Sequence, residues 1–173
     1  MNRVNSKNNI ILIGMPGAGK STTGRLLALK LEKDFIDTDN LIHLSKGKTL
    51  QEIIEDKGMK GFLAIEEEVL LKLDAQNTVI STGGSVIYRE NGMAHLKSAG
   101  LLIHLDLSSQ EIKKRFSDMD SRGVARAPGQ TLDELFKERG PLYEKYAHTT
   151  IHCDGLSLQQ VMEKIELQLS EYG

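Results

Sequence analysis

The chain has 173 residues, enough for one domain with a buried core, and its apolar (39%) and charged (27%) fractions belong to a globular rather than a disordered protein. A formal net charge of −2 supplies no basic field for nucleic acid or an anionic membrane surface. One cysteine, Cys153, excludes an internal disulfide and reads as a small buried hydrophobe in a reducing compartment.

In chain order, the polar segment 1–9 leads into a short apolar run at 10–13. The run is too short to span a bilayer and no cleavage site follows it, so a cytoplasmic protein is expected. Residues 10–13 read as a strand and 20–31 as a helix with Leu26, Leu27 and Leu31 toward the core. A second strand at 35–36 ends in Asp37-Thr38-Asp39. Residues 49–57 and 62–73 carry apolar side chains every three or four positions and read as helices. A third strand, 78–81, closes on Thr82-Gly83-Gly84; 101–107 is a fourth, and a fifth begins at 150–152. Helices at 93–98, 109–116, 132–146 and 158–169 fill the gaps. Such alternation calls for a parallel sheet covered on both faces, with ligands beyond the carboxyl ends of its strands. The stretch 118–130 has no regular pattern and reads as a lid.

Gly14-Met15-Pro16-Gly17-Ala18-Gly19-Lys20-Ser21 satisfies G-x-x-x-x-G-K-[ST] between a strand and a helix. The glycines let successive N–H groups turn toward phosphate oxygens, and the following helix aims its positive end at the same anion. Lys20 then reaches the β- and γ-phosphates, and the Ser21 hydroxyl is placed for Mg²⁺. Gly17, Ala18, Gly19, Lys20, Ser21 and Thr22 are the expected ATP-phosphate contacts. No Asn-Lys-x-Asp sequence occurs, which argues against a GTPase switch. A small chain with a lid suits a metabolite kinase, in which closure keeps water from the phosphoryl group.

The phosphate cradle, Asp37-Thr38-Asp39, the Gly83-Gly84 turn, the lid and Arg139-Gly140-Pro141-Leu142-Tyr143 together resemble the shikimate kinase family, in order and spacing, over essentially the whole chain. The resemblance implies a P-loop nucleoside triphosphate hydrolase-like α/β fold of three layers, a five-stranded parallel sheet with helices on both faces. It implies one domain over 1–173, with a helical substrate-binding region at about 40–75 and a lid at about 117–131. The implied reaction is ATP-dependent phosphorylation of shikimate to shikimate 3-phosphate, with ATP and Mg²⁺; a monomer without nucleic-acid or membrane partners is expected. Lys20, Asp39 and Arg122 would be catalytic, with Arg126 the alternative lid arginine. Asp39, Gly83, Gly84 and Arg139 would hold the acceptor, Arg139 through its carboxylate. Ser21 would bind the metal, and Asp37 and Ser81 would reach it through water.

Other readings stand beside these. Asp-x-Asp at a strand end is a common helix-capping turn. Lys113-Lys114-Arg115 reads as the solvated side of a helix, and Glu66 aligns with a family position near the substrate. The family's usual arginine after a phenylalanine is Leu63 here, and the third glycine of its turn is Ser85. Lys60, three residues before Leu63, is a candidate substitute cation. A kinase for another small hydroxy acid or polyol, and a non-catalytic nucleotide-binding module, are the alternative functions.

Overall fold

The computed structural model describes residues 7–116 and 124–172. The strands β1 (Asn9–Ile13), β2 (Asp34–Asp37), β3 (Thr78–Ser81), β4 (Gly100–Asp106) and β5 (Thr149–His152) form one sheet in the order β2-β3-β1-β4-β5. Every pairing is parallel. All of β1 is buried, as a continuous apolar run at the centre of a covered sheet requires. Ile11 pairs with Ile80 on one side and Leu102 on the other. The chain runs from β1 to β2 at one edge, returns through β3, and crosses to β4 and β5 on the other side of β1, so the carboxyl end of β1 lies at the switch point where such folds bind ligands.

The helix α1 (Lys20–Lys30) follows β1 directly and packs against the last helix, α7 (Leu158–Tyr172). Also around the sheet are α4 (Glu90–Ala99), α5 (Ser109–Phe116) and α6 (Leu132–Tyr146). Between β2 and β3 stand α2 (Thr38–Lys46) and α3 (Leu50–Leu71). They enclose a small apolar cluster of their own, Ile42, Ile53 and Phe62, joined by Ala125. No helix among the described residues is long and apolar enough to cross a membrane.

Two elements differ from the sequence reading. The helix α2 begins inside Asp37-Thr38-Asp39, and the sequence shows no stripe there because only Thr38 and Ile42 are buried while Leu44 is exposed. The helices expected at 49–57 and 62–73 are one run, broken at Gly58, whose φ of 67° and ψ of 176° no helix accommodates. Thr49 starts that run with a capping box to Glu52. Of the expected lid, residues 117–123, Arg122 among them, lie outside the described residues; 124–130 are neither helix nor strand.

Candidate active site

The loop after β1 is held close to its neighbour. Gly14 has φ 147°, and a Cβ on it would lie 2.6 Å from the carbonyl oxygen of Leu105. The helix α1 then starts with no side-chain cap and no acidic residue in its first turn. Its N-terminal dipole therefore meets no capping side chain and no acidic residue of its own first turn. The Lys20 ammonium folds over the loop and donates to the carbonyls of Gly14 and Met15, both at 2.8 Å. Burial pushes its pKa down to about 8, and the charge of Arg139 adds to this against Asp39 and Asp37. A bound triphosphate would supply the missing negative charge. Gly17, Gly19, Lys20, Ser21 and Thr22 face one cavity, while Ala18 is buried with its N–H donated to the Met15 carbonyl.

Beside the loop, the Ser21 hydroxyl donates to Asp37 Oδ2 at 2.6 Å and lies 3.3 Å from Ser81 Oγ. Hydroxyl and carboxylate oxygens next to a phosphate cradle are the donor set that Mg²⁺ takes, largely through water. Asp37 also caps α2, its Oδ1 accepting from the Asp39 N–H at 3.0 Å. The capping and functional readings of this motif are thus compatible. Asp39 reaches the same site from the first turn of α2 rather than from the strand. Its Oδ1 is buried without a partner. Burial, reinforced by Asp37 and opposed by Lys20, pushes its pKa up to about 6.

At the far end of the cavity, Gly83 gives its N–H to the Thr38 hydroxyl at 3.2 Å. What this position supplies is room: a Cβ on it would lie 2.7 Å from both Asp39 Oδ1 and Glu66 Oε1. A Cβ on Gly84 would lie 2.8 Å from Pro16 and 3.0 Å from Arg139 Nη1. Arg139 is 1% exposed, and its Nη1 has no partner. One turn on, the Tyr143 hydroxyl donates to the Gly84 carbonyl at 2.6 Å, which ties α6 to the glycine turn. The cavity, of about 420 Å³, extends from the phosphate loop to Asp39, Ser85 and Arg139.

The two departures noted in the sequence have different fates. Leu63 packs into the apolar cluster of α2 and α3. Ser85 donates to both oxygens of the buried Glu66, at 3.0 and 2.8 Å. That carboxyl is pushed up to about 8 by burial, with Asp39 adding and the Ser85 bond and Arg139 opposing. The native state therefore keeps a proton that the unfolded chain releases near the ordinary value of 4.5. Stability linked to Glu66 is complete below that value and is lost as pH rises toward about 8, with a limiting slope of about 1.4 kcal/mol per pH unit. The melting temperature of the ligand-free protein is expected to fall by several degrees between about pH 6.5 and 8, and Glu66→Gln to flatten that fall. Identical profiles for the two proteins would mean that Glu66 is ionised throughout.

Lys60 is exposed and does not line the cavity, because the face of α3 that carries it looks outward; it is not a substitute cation there. Arg126 is likewise exposed and away from the cavity. Arg115, read from sequence as part of a solvated face, instead lines the cavity and donates from Nη1 to the Gly17 carbonyl at 3.0 Å. Its only sequence signal is its place in the last turn of α5, just ahead of the irregular stretch.

Comparison with known proteins agrees with this geometry. A family model described as shikimate kinase matches residues 16–170. A shikimate kinase of Thermodesulfovibrio yellowstonii is 38% identical over 160 residues, covering 91% of this chain and 92% of the relative. One of Paracidovorax citrulli is 35% identical over 171 residues, covering 95% and 93%. Among solved structures, shikimate kinase from Acinetobacter baumannii in complex with shikimate superposes with a TM-score of 0.87 at 34% identity, covering 96% of each chain.

Proposed function

This chain belongs to the shikimate kinase family, and from that premise we propose that it transfers the γ-phosphoryl group of ATP to the 3-hydroxyl of shikimate, giving shikimate 3-phosphate and ADP. The observation that carries the choice of acceptor is the buried Arg139 guanidinium. Its Nη1 is unpartnered, and no ion pair among the described residues involves it. A buried cation without a protein anion is costly. An acceptor carboxylate relieves that cost while placing a hydroxyl toward the equally unpartnered Asp39 Oδ1.

In this reading the loop N–H groups and Lys20 hold the β- and γ-phosphates. Ser21, Asp37 and Ser81 would hold Mg²⁺, which would neutralise phosphate charge. Asp39 accepts the hydrogen bond of the attacking hydroxyl and takes its proton. Arg139 sets the register of the acceptor, so that hydroxyl and phosphoryl group meet in line. Val124 and Ala125, which line the cavity, belong to the segment that would cover it.

The test is a steady-state assay with Mg·ATP and a panel of acceptors: shikimate, its carboxamide, gluconate and a neutral polyol. Saturable ADP release with shikimate, and a much weaker response to the amide, is expected. Turnover of gluconate or the polyol with none of shikimate would replace shikimate as acceptor.

A further inference from the structure

The guanidinium of Arg139 is held along one edge. Its Nε donates to the Tyr88 hydroxyl at 3.2 Å and its Nη2 to the carbonyl of Ala125, while Nη1 is unpartnered. Nε and Nη2 share one edge of the planar fork, so the protein takes up that edge and leaves Nη1, buried beside Gly84 in a residue that lines the cavity, without a protein partner. The Tyr88 hydroxyl in turn donates a hydrogen bond to Glu138 Oε1, and Glu138 Oε2 accepts from Gln130 Nε2 at 2.9 Å. A phenol that donates to a carboxylate is a stronger acceptor. The negative charge of Glu138 is thereby felt at Nε without a direct ion pair, and burial together with that carboxylate raises the phenol's pKa, so it keeps the proton this chain requires.

We propose that Tyr88, backed by Glu138, is a positioning residue that fixes the Arg139 guanidinium with Nη1 toward the acceptor and so sets the affinity for a carboxylate-bearing substrate. The inference rests on the function proposed above for the identity of that substrate. The arrangement matters here because Leu63 is engaged in an apolar cluster and Lys60 lies outside the cavity, so Arg139 is the one arginine seen at the acceptor end among the described residues. A long side chain that binds alone loses affinity by every alternative rotamer it can visit. Tyr88 removes those alternatives.

Tyr88→Phe isolates the hydroxyl, since the ring, whose centroid lies 5.2 Å from the guanidinium carbon, is retained. The expected result is a KM for shikimate raised about 5- to 30-fold, with kcat and ATP affinity within about twofold of wild type. Glu138→Gln, which keeps an acceptor but loses the charge, should raise KM by less. An unchanged KM in Tyr88→Phe, or a parallel loss of kcat and ATP binding, would overturn the proposal, since a merely structural role gives no such split. A second measurement is independent of the acceptor. The side-chain Nε–H resonance of Arg139, assigned by its absence in Arg139→Leu, should exchange with solvent much faster in Tyr88→Phe than in wild type. If wild type ignores shikimate but this exchange accelerates, the substrate is wrong and the positioning role stands. Equal exchange in the two proteins sinks the role of Tyr88 whatever the substrate.

Discussion

Asp39→Asn is expected to lower kcat for shikimate by about 10²- to 10⁴-fold while ATP affinity stays within about twofold of wild type. The substitution keeps the size and shape of the side chain, and Asp39 Oδ1 has no protein partner to lose. What disappears is an oxygen able to accept a proton as the hydroxyl attacks. A pH signature accompanies the loss. Burial holds this carboxyl at about 6, and the protonated form cannot act as acceptor. Wild-type kcat/KM should therefore fall by up to about tenfold per pH unit below about 6, and the residual rate of the variant should lack that limb. Calorimetric titration with Mg·ATP separates the catalytic loss from a binding defect. A variant that keeps kcat within about threefold of wild type would remove Asp39 from the reaction.

Features contiguous in the chain were legible in the sequence; features assembled through space were not. The phosphate loop could be read because its glycines, lysine and serine have to be consecutive to wrap one anion. The limits of α5 and α6 coincide with those expected, and α6 starts at Thr131 with a capping box to Glu134, a local signal. Periodicity does not show α2, although the family resemblance implies a helical region from about residue 40: Asp37 is its N-cap, Thr38 and Asp39 open its first turn, and its buried face is too narrow to show a period. Leu63 and Ser85 are both departures from the family pattern, and the sequence alone does not show what either one touches. In space Ser85 bonds to Glu66, 19 residues away, while Leu63 sits in a separate apolar cluster. The partners of Arg139 come from the turn after β3 and from the segment ahead of α6, and no spacing rule joins them. Lys60 shows the limit of helical adjacency: three residues from Leu63 on one helix, it is nonetheless exposed.

Arg139→Leu is expected to raise the KM for shikimate by about 10²-fold or more, the cost of leaving a desolvated carboxylate without its cation. The loss should be selective. Wild type should prefer shikimate to its carboxamide by roughly the factor that the substitution removes, and the variant should treat the two nearly alike, closing a thermodynamic cycle on one ion pair. Stability gives an internal control with an informative sign. Wild type buries a guanidinium that no described ion pair neutralises, so leucine relieves a desolvation cost even as it strands the Tyr88 hydroxyl and the Ala125 carbonyl. The two effects oppose each other, and the melting temperature of the ligand-free variant should lie within a few degrees of wild type. Added shikimate should raise the melting temperature of wild type but not of the variant, because only the former gains a ligand for its folded state. If the variant lost equal affinity for acid and amide, Arg139 would not be the carboxylate partner, and the unpartnered Nη1 would need a different anion to explain it.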